Sequence, residues 1–128
     1  MRTKISYYGG LIIAPVTING NNNYIFNFAI DTGANRTIII PSVMNLFENK
    51  LENSNTRLTS GSKSNEKVKE TVLKSFNVFD FNLLRYKVYI KSLPKSIGYI
   101  HGLLGYDFFQ ELNLKLLLDF ENNILALS

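Results

Sequence analysis

Apolar residues in this chain fall in short runs, many with period two, and are separated by Asn, Gly and Pro. That pattern predicts strands joined by tight turns. Leu11–Ile18 is β-branched and apolar and runs into Asn19-Gly20-Asn21-Asn22-Asn23, a cluster that tolerates positive φ and predicts a hairpin turn. Residues 24–30 then alternate, with Tyr24, Phe26 and Phe28 on one side and Ile25, Asn27 and Ala29 on the other. Residues 37–40 predict a third strand, stopped by Pro41, with a short helix or turn over 41–47. The polar stretch 48–71 reads as a mobile hairpin, out over 56–60, with Gly61 near the tip, and back over 68–73. Residues 75–81 and 86–90 alternate again as a strand pair. Gly102-Leu103-Leu104 leads into the clearest helix, residues 105–112, and strands over 114–120 and 124–127 close the chain around Glu121-Asn122-Asn123. The sum is an all-β barrel or sandwich with one late helix.

The length of 128 residues fits one domain spanning residues 1–128. With 45% hydrophobic and 19% charged residues, the composition is that of a globular chain rather than a disordered one. The absence of cysteine excludes a disulfide framework, a thiol nucleophile and thiolate metal sites. One histidine, His101, excludes a His-rich metal site and is the only base a Ser-His-Asp triad could use. It reads as a strand-end residue. The net charge of +4 is mildly basic, but the densest lysines (Lys63, Lys67, Lys69) are interrupted by Glu66 and Glu70. Basic and aromatic residues do not interleave, so no nucleic-acid partner is expected. No apolar run approaches the roughly 18 residues of a membrane span. Arg2 and Lys4 ahead of the apolar stretch 11–16 imitate a signal peptide, but Gly9, Gly10 and Pro15 break it. A soluble, cytoplasmic chain with no membrane partner is expected.

The informative segment is Phe28-Ala29-Ile30-Asp31-Thr32-Gly33-Ala34, where an apolar strand delivers a carboxylate into a tight turn. Burying a carboxylate there costs desolvation unless donors surround it or the site opens to substrate. Gly33 lets backbone amides and substrate approach closely, and the Thr32 hydroxyl can donate or accept. The plain alternative is an Asx turn in which Asp31 merely ends the strand.

Asp31-Thr32-Gly33-Ala34-Asn35, followed by Thr37, resembles the active-site loop of the retropepsin-like aspartic proteases. Gly102-Leu103-Leu104-Gly105-Tyr106-Asp107-Phe108-Phe109 resembles that family's two-hydrophobics-then-Gly segment, which leads into its single helix. The order of elements agrees over about residues 10–127. The resemblance implies a small closed acid-protease barrel with one short C-terminal helix, and an aspartic endopeptidase that acts on a peptide or protein substrate. It implies a homodimer in which each subunit supplies one catalytic Asp31, with no metal and no organic cofactor. It also implies that Thr32 braces the two loops, that Gly33 contacts the substrate backbone, and that Ala34 completes the loop. Asn35 and Arg36 would line substrate positions, with Arg36 either selecting side chains or pairing with a surface acid. Thr59, Ser60 and Gly61 would belong to a flap over the substrate, although Ser62-Lys63-Ser64-Asn65 departs from the usual glycine or small apolar tip. Asp107 would sit at the start of the helix, favoured by its dipole, as structural support. The apolar strand at 124–127 would pair in a sheet between subunits, since left open it is an aggregation liability.

Counting acids points the same way. Paired-carboxylate hydrolysis needs one ionised and one protonated acid. Of the four aspartates, Asp31, Asp80, Asp107 and Asp119, only Asp31 sits in an apolar-strand-to-Gly turn, so a two-fold axis beside it would supply the second. The alternative on the same fold is a catalytically silent module that binds peptides or mediates dimerisation.

Overall fold

The computed structural model describes residues 1–59, 68–95 and 99–128, and these are mostly strand. In chain order the strands are β1 (Arg2–Lys4), β2 (Ser6–Tyr8), β3 (Leu11–Ile18), β4 (Asn21–Ile30), β5 (Ile38–Ile39), β6 (Glu52–Ser54), β7 (Val68–Val78), β8 (Phe81–Ile90), β9 (Gly102–Leu104), β10 (Leu116–Asp119) and β11 (Ile124–Leu127). Two short helices, α1 (Pro41–Met44) and α2 (Tyr106–Glu111), accompany them. The second is the expected late helix, and the first decides the short helix or turn expected over 41–47 in favour of a helix. Pro41 opens α1 at a position where its missing N–H has no helical partner to lose.

Asn19 and Gly20 take φ of 55° and 69°, the left-handed pair that a two-residue hairpin between β3 and β4 requires. The next hairpin is the strand pair expected over 75–81 and 86–90, but it turns earlier than the sequence placed it. Phe79 and Asp80 turn the chain between β7 and β8, with Phe79 at φ 52°. An aromatic residue there carries no turn signal, so the alternation reads straight through to Phe81. The polar middle is also shorter in strand than expected. Only Glu52–Ser54 pairs with the start of β7, Ser54 lying opposite Val68. Residues 56–59 are not strand, and Ser60 and Gly61 lie outside the described residues.

One sheet is three-stranded and antiparallel, in the order β1-β11-β10. The other runs β2-β3-β4-β9-β5-β8-β7-β6, and β3 also pairs with β7, with Val16 opposite Val78 and Ile18 opposite Phe76. That extra pairing returns the chain of strands to its beginning and closes a ring of six: β3, β4, β9, β5, β8 and β7. Two pairings in the ring are parallel, β4 with β9 and β5 with β8.

The ring encloses Phe28, Phe76 and Phe108, all fully buried, with ring centroids 5.6 Å apart for Phe28–Phe76 and 6.0 Å for Phe76–Phe108. Each such side chain contributes roughly 1.5–3 kcal/mol on burial. Leu125 and Leu127 join this core from the three-stranded sheet. A second, smaller apolar cluster is formed by Ile13, Ala29, Ile38, Ile100 and Leu103, with Leu11, Leu58 and Leu93 packed on it. Gly102 is required where β9 passes between its neighbours, because a Cβ there would collide with the Ile38 carbonyl oxygen and the Phe28 ring. No helix among the described residues is long and apolar enough to cross a membrane.

Candidate active site

Strands β4 and β9 run parallel and end together, with Ile30 opposite Leu104. The ladder continues one bond further, the Asp31 N–H donating to the Leu104 carbonyl at 3.0 Å. Whatever follows each strand must then emerge at the same rim. From β4 comes the loop 31–37, and from β9 comes Gly105 and the first turn of α2. The loop begins with a tight turn, in which the Ala34 N–H donates to the Asp31 carbonyl at 3.0 Å. The Gly33 N–H donates to Asp31 Oδ1 at 3.1 Å, so the Asx turn that was the plain alternative is present. It does not bury the acid. Asp31 is half-exposed, and Thr32 and Gly33 are exposed. The turn fixes one carboxylate oxygen and holds the group at the rim. A Cβ on residue 33 would stand 3.3 Å from that oxygen, tight enough to disturb it. Ala34 is fully buried beneath.

Behind the loop lies a buried polar cluster. Thr37 Oγ1 donates to Asp107 Oδ1 at 2.9 Å, accepts the Gly105 N–H at 3.2 Å, and lies 2.9 Å from the Tyr86 hydroxyl. Asp107 Oδ1 also accepts the Phe108 N–H at 2.9 Å. Since the single Thr37 proton goes to the carboxylate, Tyr86 is the donor to Thr37. Burial pushes the Tyr86 phenol well above its ordinary range, and the charge of Asp107 adds to the effect. The phenol thus stays a donor at any working pH. The Tyr106 N–H donates to the Ala34 carbonyl at 2.8 Å, completing the tie between loop and helix. Asp107 is therefore a structural acid in the first turn of α2, as expected from its position.

The remaining aspartates and the lone histidine lie elsewhere in the fold. Asp80 lies in the β7–β8 turn. Asp119 accepts from the Asn122 backbone N–H at 3.0 Å and from Asn122 Nδ2 at 2.9 Å, bonds that lower its pKa. His101 sits just before β9, where its Nδ1 accepts the Asn27 N–H at 2.9 Å, and burial lowers its pKa. The strand-end role expected of it holds. Of the two roles expected of Arg36, the pairing with a surface acid is not found among the described residues. Its guanidinium carbon stands 5.9 Å from the centroid of the buried Tyr89 ring and makes no ion pair.

Beside Asp31 is an apolar pocket of about 270 Å³ walled by Leu11, Ala29, Ile30, Leu93, Pro94 and Leu103. A larger hollow of about 620 Å³ lies away from Asp31 along β7, but Glu70 and Lys87 pair across its wall at 2.9 Å and its lining is polar. The smaller pocket is the one that meets a chemically useful group. Asn35 is tied to the segment 57–59, its side-chain amide donating to the Arg57 carbonyl at 2.8 Å.

The sequence reading brought Asp31, Thr32, Gly33, Ala34, Asn35 and Arg36 to one loop, and they share it. Ser60 and Gly61 fall outside the described residues. The reading missed Tyr86 and the hydroxyl of Thr37 as a linked pair, because they are 49 residues apart and only the β5–β8 pairing joins them. It also missed Leu93 and Pro94, whose only signal was an apolar pair two residues beyond the end of β8. Thr59 was named within the polar hairpin, but nothing in its neighbours shows what it touches.

A family model described as aspartyl protease matches residues 14–108. No curated protein matches the chain in sequence. Among solved structures, a retropepsin-like aspartic protease from Rickettsia conorii superposes with a TM-score of 0.68 at 20% identity, over 99% of this chain and 89% of that one. EIAV protease, solved with the inhibitor HBY-793, gives a TM-score of 0.60 at 19% identity over 84% of this chain and 93% of its own. The retroviral protease-like domain of Ddi1 from Leishmania major gives 0.54 at 14% identity over 92% and 88%. The fold is thus retropepsin-like.

Proposed function

The chain belongs to the aspartyl protease family, and from that premise we propose that it is an endopeptidase acting as a homodimer, with one Asp31 from each subunit. A water held between the two carboxylates loses a proton to one of them as it attacks the scissile carbonyl. The other, protonated, donates to the carbonyl oxygen. Thr32 braces the paired loops and Gly33 meets the substrate backbone. No metal or organic cofactor enters this scheme. An apolar substrate side chain fits the pocket walled by Leu11, Leu93 and Leu103 beside Asp31.

The observation that supports this reading best is the placing of Asp31. It is the one aspartate of four held at an open rim, on a turn that fixes only one of its oxygens, against an apolar pocket. The other three serve turns or the cluster behind the loop. Because no other aspartate of the chain is so placed, the second carboxylate is assigned to a second copy.

The test is cleavage of a mixed peptide library by the wild type and by Asp31→Asn. The amide is nearly isosteric but cannot take the proton, so cleavage is lost while the melting temperature stays close to wild type. Specific activity falls on dilution in parallel with the dimer fraction seen by sedimentation. A variant that keeps most of its activity removes Asp31 from the mechanism. Peptide binding without cleavage by the wild type replaces hydrolysis with the silent-module reading.

A further inference from the structure

The turn end of the β7–β8 ribbon carries a polar hollow of about 460 Å³ that hydrolysis at Asp31 does not use. It forms where the strand pattern slips. Leu73 and Phe76 are both fully buried, so the alternation of β7 shifts by one between them, and Arg85 on the facing strand takes φ 52°. Beyond the slip, Phe76 and Val78 fill the core while Ser75 and Asn77 line the hollow. The register then sets Thr17, Asn77 and Asn82 side by side across β3, β7 and β8. Asn22 near the start of β4, with Phe79 and Asp80 of the β7–β8 turn, walls this floor. β4 separates the hollow from Asp31, and its ten residues span roughly 30 Å at about 3.3 Å each.

The side chains of Thr17, Asn22, Ser75, Asn77, Asp80 and Asn82 make no hydrogen bond to one another or to any other described residue. Most are hydroxyls and carboxamides, which donate and accept at once. No lysine or arginine stands among the described residues that line the hollow, and Asp80 is the one charge there. A phosphate, a nucleotide or an acidic peptide therefore finds no counter-ion and one repelling carboxylate. A single carboxylate also gives little hold on a divalent cation. Phe79, half-buried and held at φ 52°, adds an aromatic surface to the otherwise polar wall. The volume lies in the range of small-molecule sites. These features fit one ligand chemistry. The neighbouring hydroxyls of a sugar, each a donor and an acceptor, match the paired oxygen and amine of a carboxamide, and its C–H faces stack on an aromatic ring.

We propose that this hollow binds a neutral saccharide, with Asn77 and Asn82 as its floor and Phe79 as its aromatic wall. The site is independent of Asp31, and its occupant does not touch the peptide being cut. Each carboxamide contributes about one net hydrogen bond, so removing one weakens binding roughly fivefold and removing both about 25-fold.

The experiment follows backbone and carboxamide N–H signals by NMR as maltose, cellobiose, lactose or diacetylchitobiose is added, with glucose phosphate as the anionic control. Wild type is compared with Asn77→Ala, Asn82→Ala and the double variant. The expected result is that at least one neutral sugar shifts the signals of Gly20, Asn77 and Asn82 in a saturable way and leaves Asp31 and Gly33 unmoved. Its affinity falls in the variants as stated, and glucose phosphate shifts nothing. Melting temperatures stay near wild type, because neither carboxamide has a partner to lose, and Asn82, exposed on its strand, carries the test alone if Asn77→Ala loses stability. The proposal is overturned if no sugar moves these signals, if the shifts centre on other residues, if the variants bind as wild type does, or if glucose phosphate binds as tightly as the neutral sugars. Peptide cleavage is the same in wild type and variants, so this site and the protease reading fail separately.

Discussion

Thr37→Val isolates the polar cluster behind the loop 31–37, because valine keeps the shape and removes only the hydroxyl. Three hydrogen bonds end on that oxygen, to Tyr86 at 2.9 Å, Asp107 at 2.9 Å and Gly105 at 3.2 Å. At ~1 kcal/mol net each the loss is about 3 kcal/mol, and leaving the buried Tyr86 hydroxyl and the Gly105 N–H unpaired raises it toward ~5. Against a total stability of about 5–15 kcal/mol this is large. In urea, with a slope of about 1.5 kcal/mol per M, the midpoint falls by roughly 2–3 M at unchanged slope. The measurement is made at one fixed protein concentration, since association would contribute to stability. Tyr86→Phe alone costs about 1 kcal/mol, because it removes a donor and leaves only a lone pair of Thr37 unfilled. In the double variant no phenol is left unpaired, so the two losses sum to about 1–2 kcal/mol more than the double shows. A Thr37→Val loss below ~1 kcal/mol, or a cycle additive within ~0.5 kcal/mol, refutes the claim that this hydroxyl links the two.

Gly105 has φ −78°, a conformation alanine adopts freely, so on backbone grounds Gly105→Ala would stabilise by about 0.4–1 kcal/mol. The expected sign is the reverse, because the new Cβ would collide with the Arg36 carbonyl and come within 2.9 Å of Asp107 Oδ1. A loss of about 3 kcal/mol, seen as a clear fall in melting temperature, is expected, and an unchanged or raised value contradicts the close approach. His101 predicts a pH dependence. Burial holds its folded pKa below the ordinary 6.5, so the unfolded chain binds the proton first, and stability falls as pH drops from about 6.5 toward the folded value. Above that range the group contributes nothing to the slope. His101→Asn keeps an acceptor for the Asn27 N–H without titrating, so wild type loses more melting temperature than the variant between pH 7 and 5. Parallel losses would remove His101 as the cause.

Much of the loop that carries Asp31 was legible because its signals are local. An apolar strand, an acid, a glycine and a small residue stand next to each other, and Asn19-Gly20 marks its own turn. What was not legible depends on residues distant in the chain. Asp80 is the only turn-forming residue of the two that reverse the chain there, and it stands between two phenylalanines in an alternating run, so the position of the turn is not marked. Thr37 looks like one more β-branched strand residue until β5 is placed between β8 and β9, and only then does it meet Tyr86 and Asp107. The N-terminal strands β1 and β2 were overlooked for a related reason. Their side chains are exposed, so they carry no burial pattern and exist as strands through pairing with β11 and β3. Thr59 follows the same rule from the surface, its partners lying 24 and 26 residues earlier in the chain.

The C-terminal strand changes how a shared site is best tested. Ile124–Leu127 reads in sequence as an apolar edge that needs a partner from a second subunit. In the fold it is the middle strand of its sheet, with β1 on one side and β10 on the other, and Leu125 and Leu127 are each 1% exposed in the main core. The liability of an open apolar edge is thus answered within the chain itself. Removing residues 123–128 would take away both ladders and two core leucines, a loss of roughly 2–5 kcal/mol per leucine before any hydrogen bond is counted. Such a truncation unfolds the chain whether or not it associates, so its loss of activity would not speak to a shared site. The unpaired edges of this sheet are the outer sides of β1 and β10, and a second copy extending the sheet must add to one of them. Substitutions there leave Leu125 and Leu127 in place. They separate association from folding, which is the distinction that a test of the proposed pairing of two Asp31 carboxylates requires.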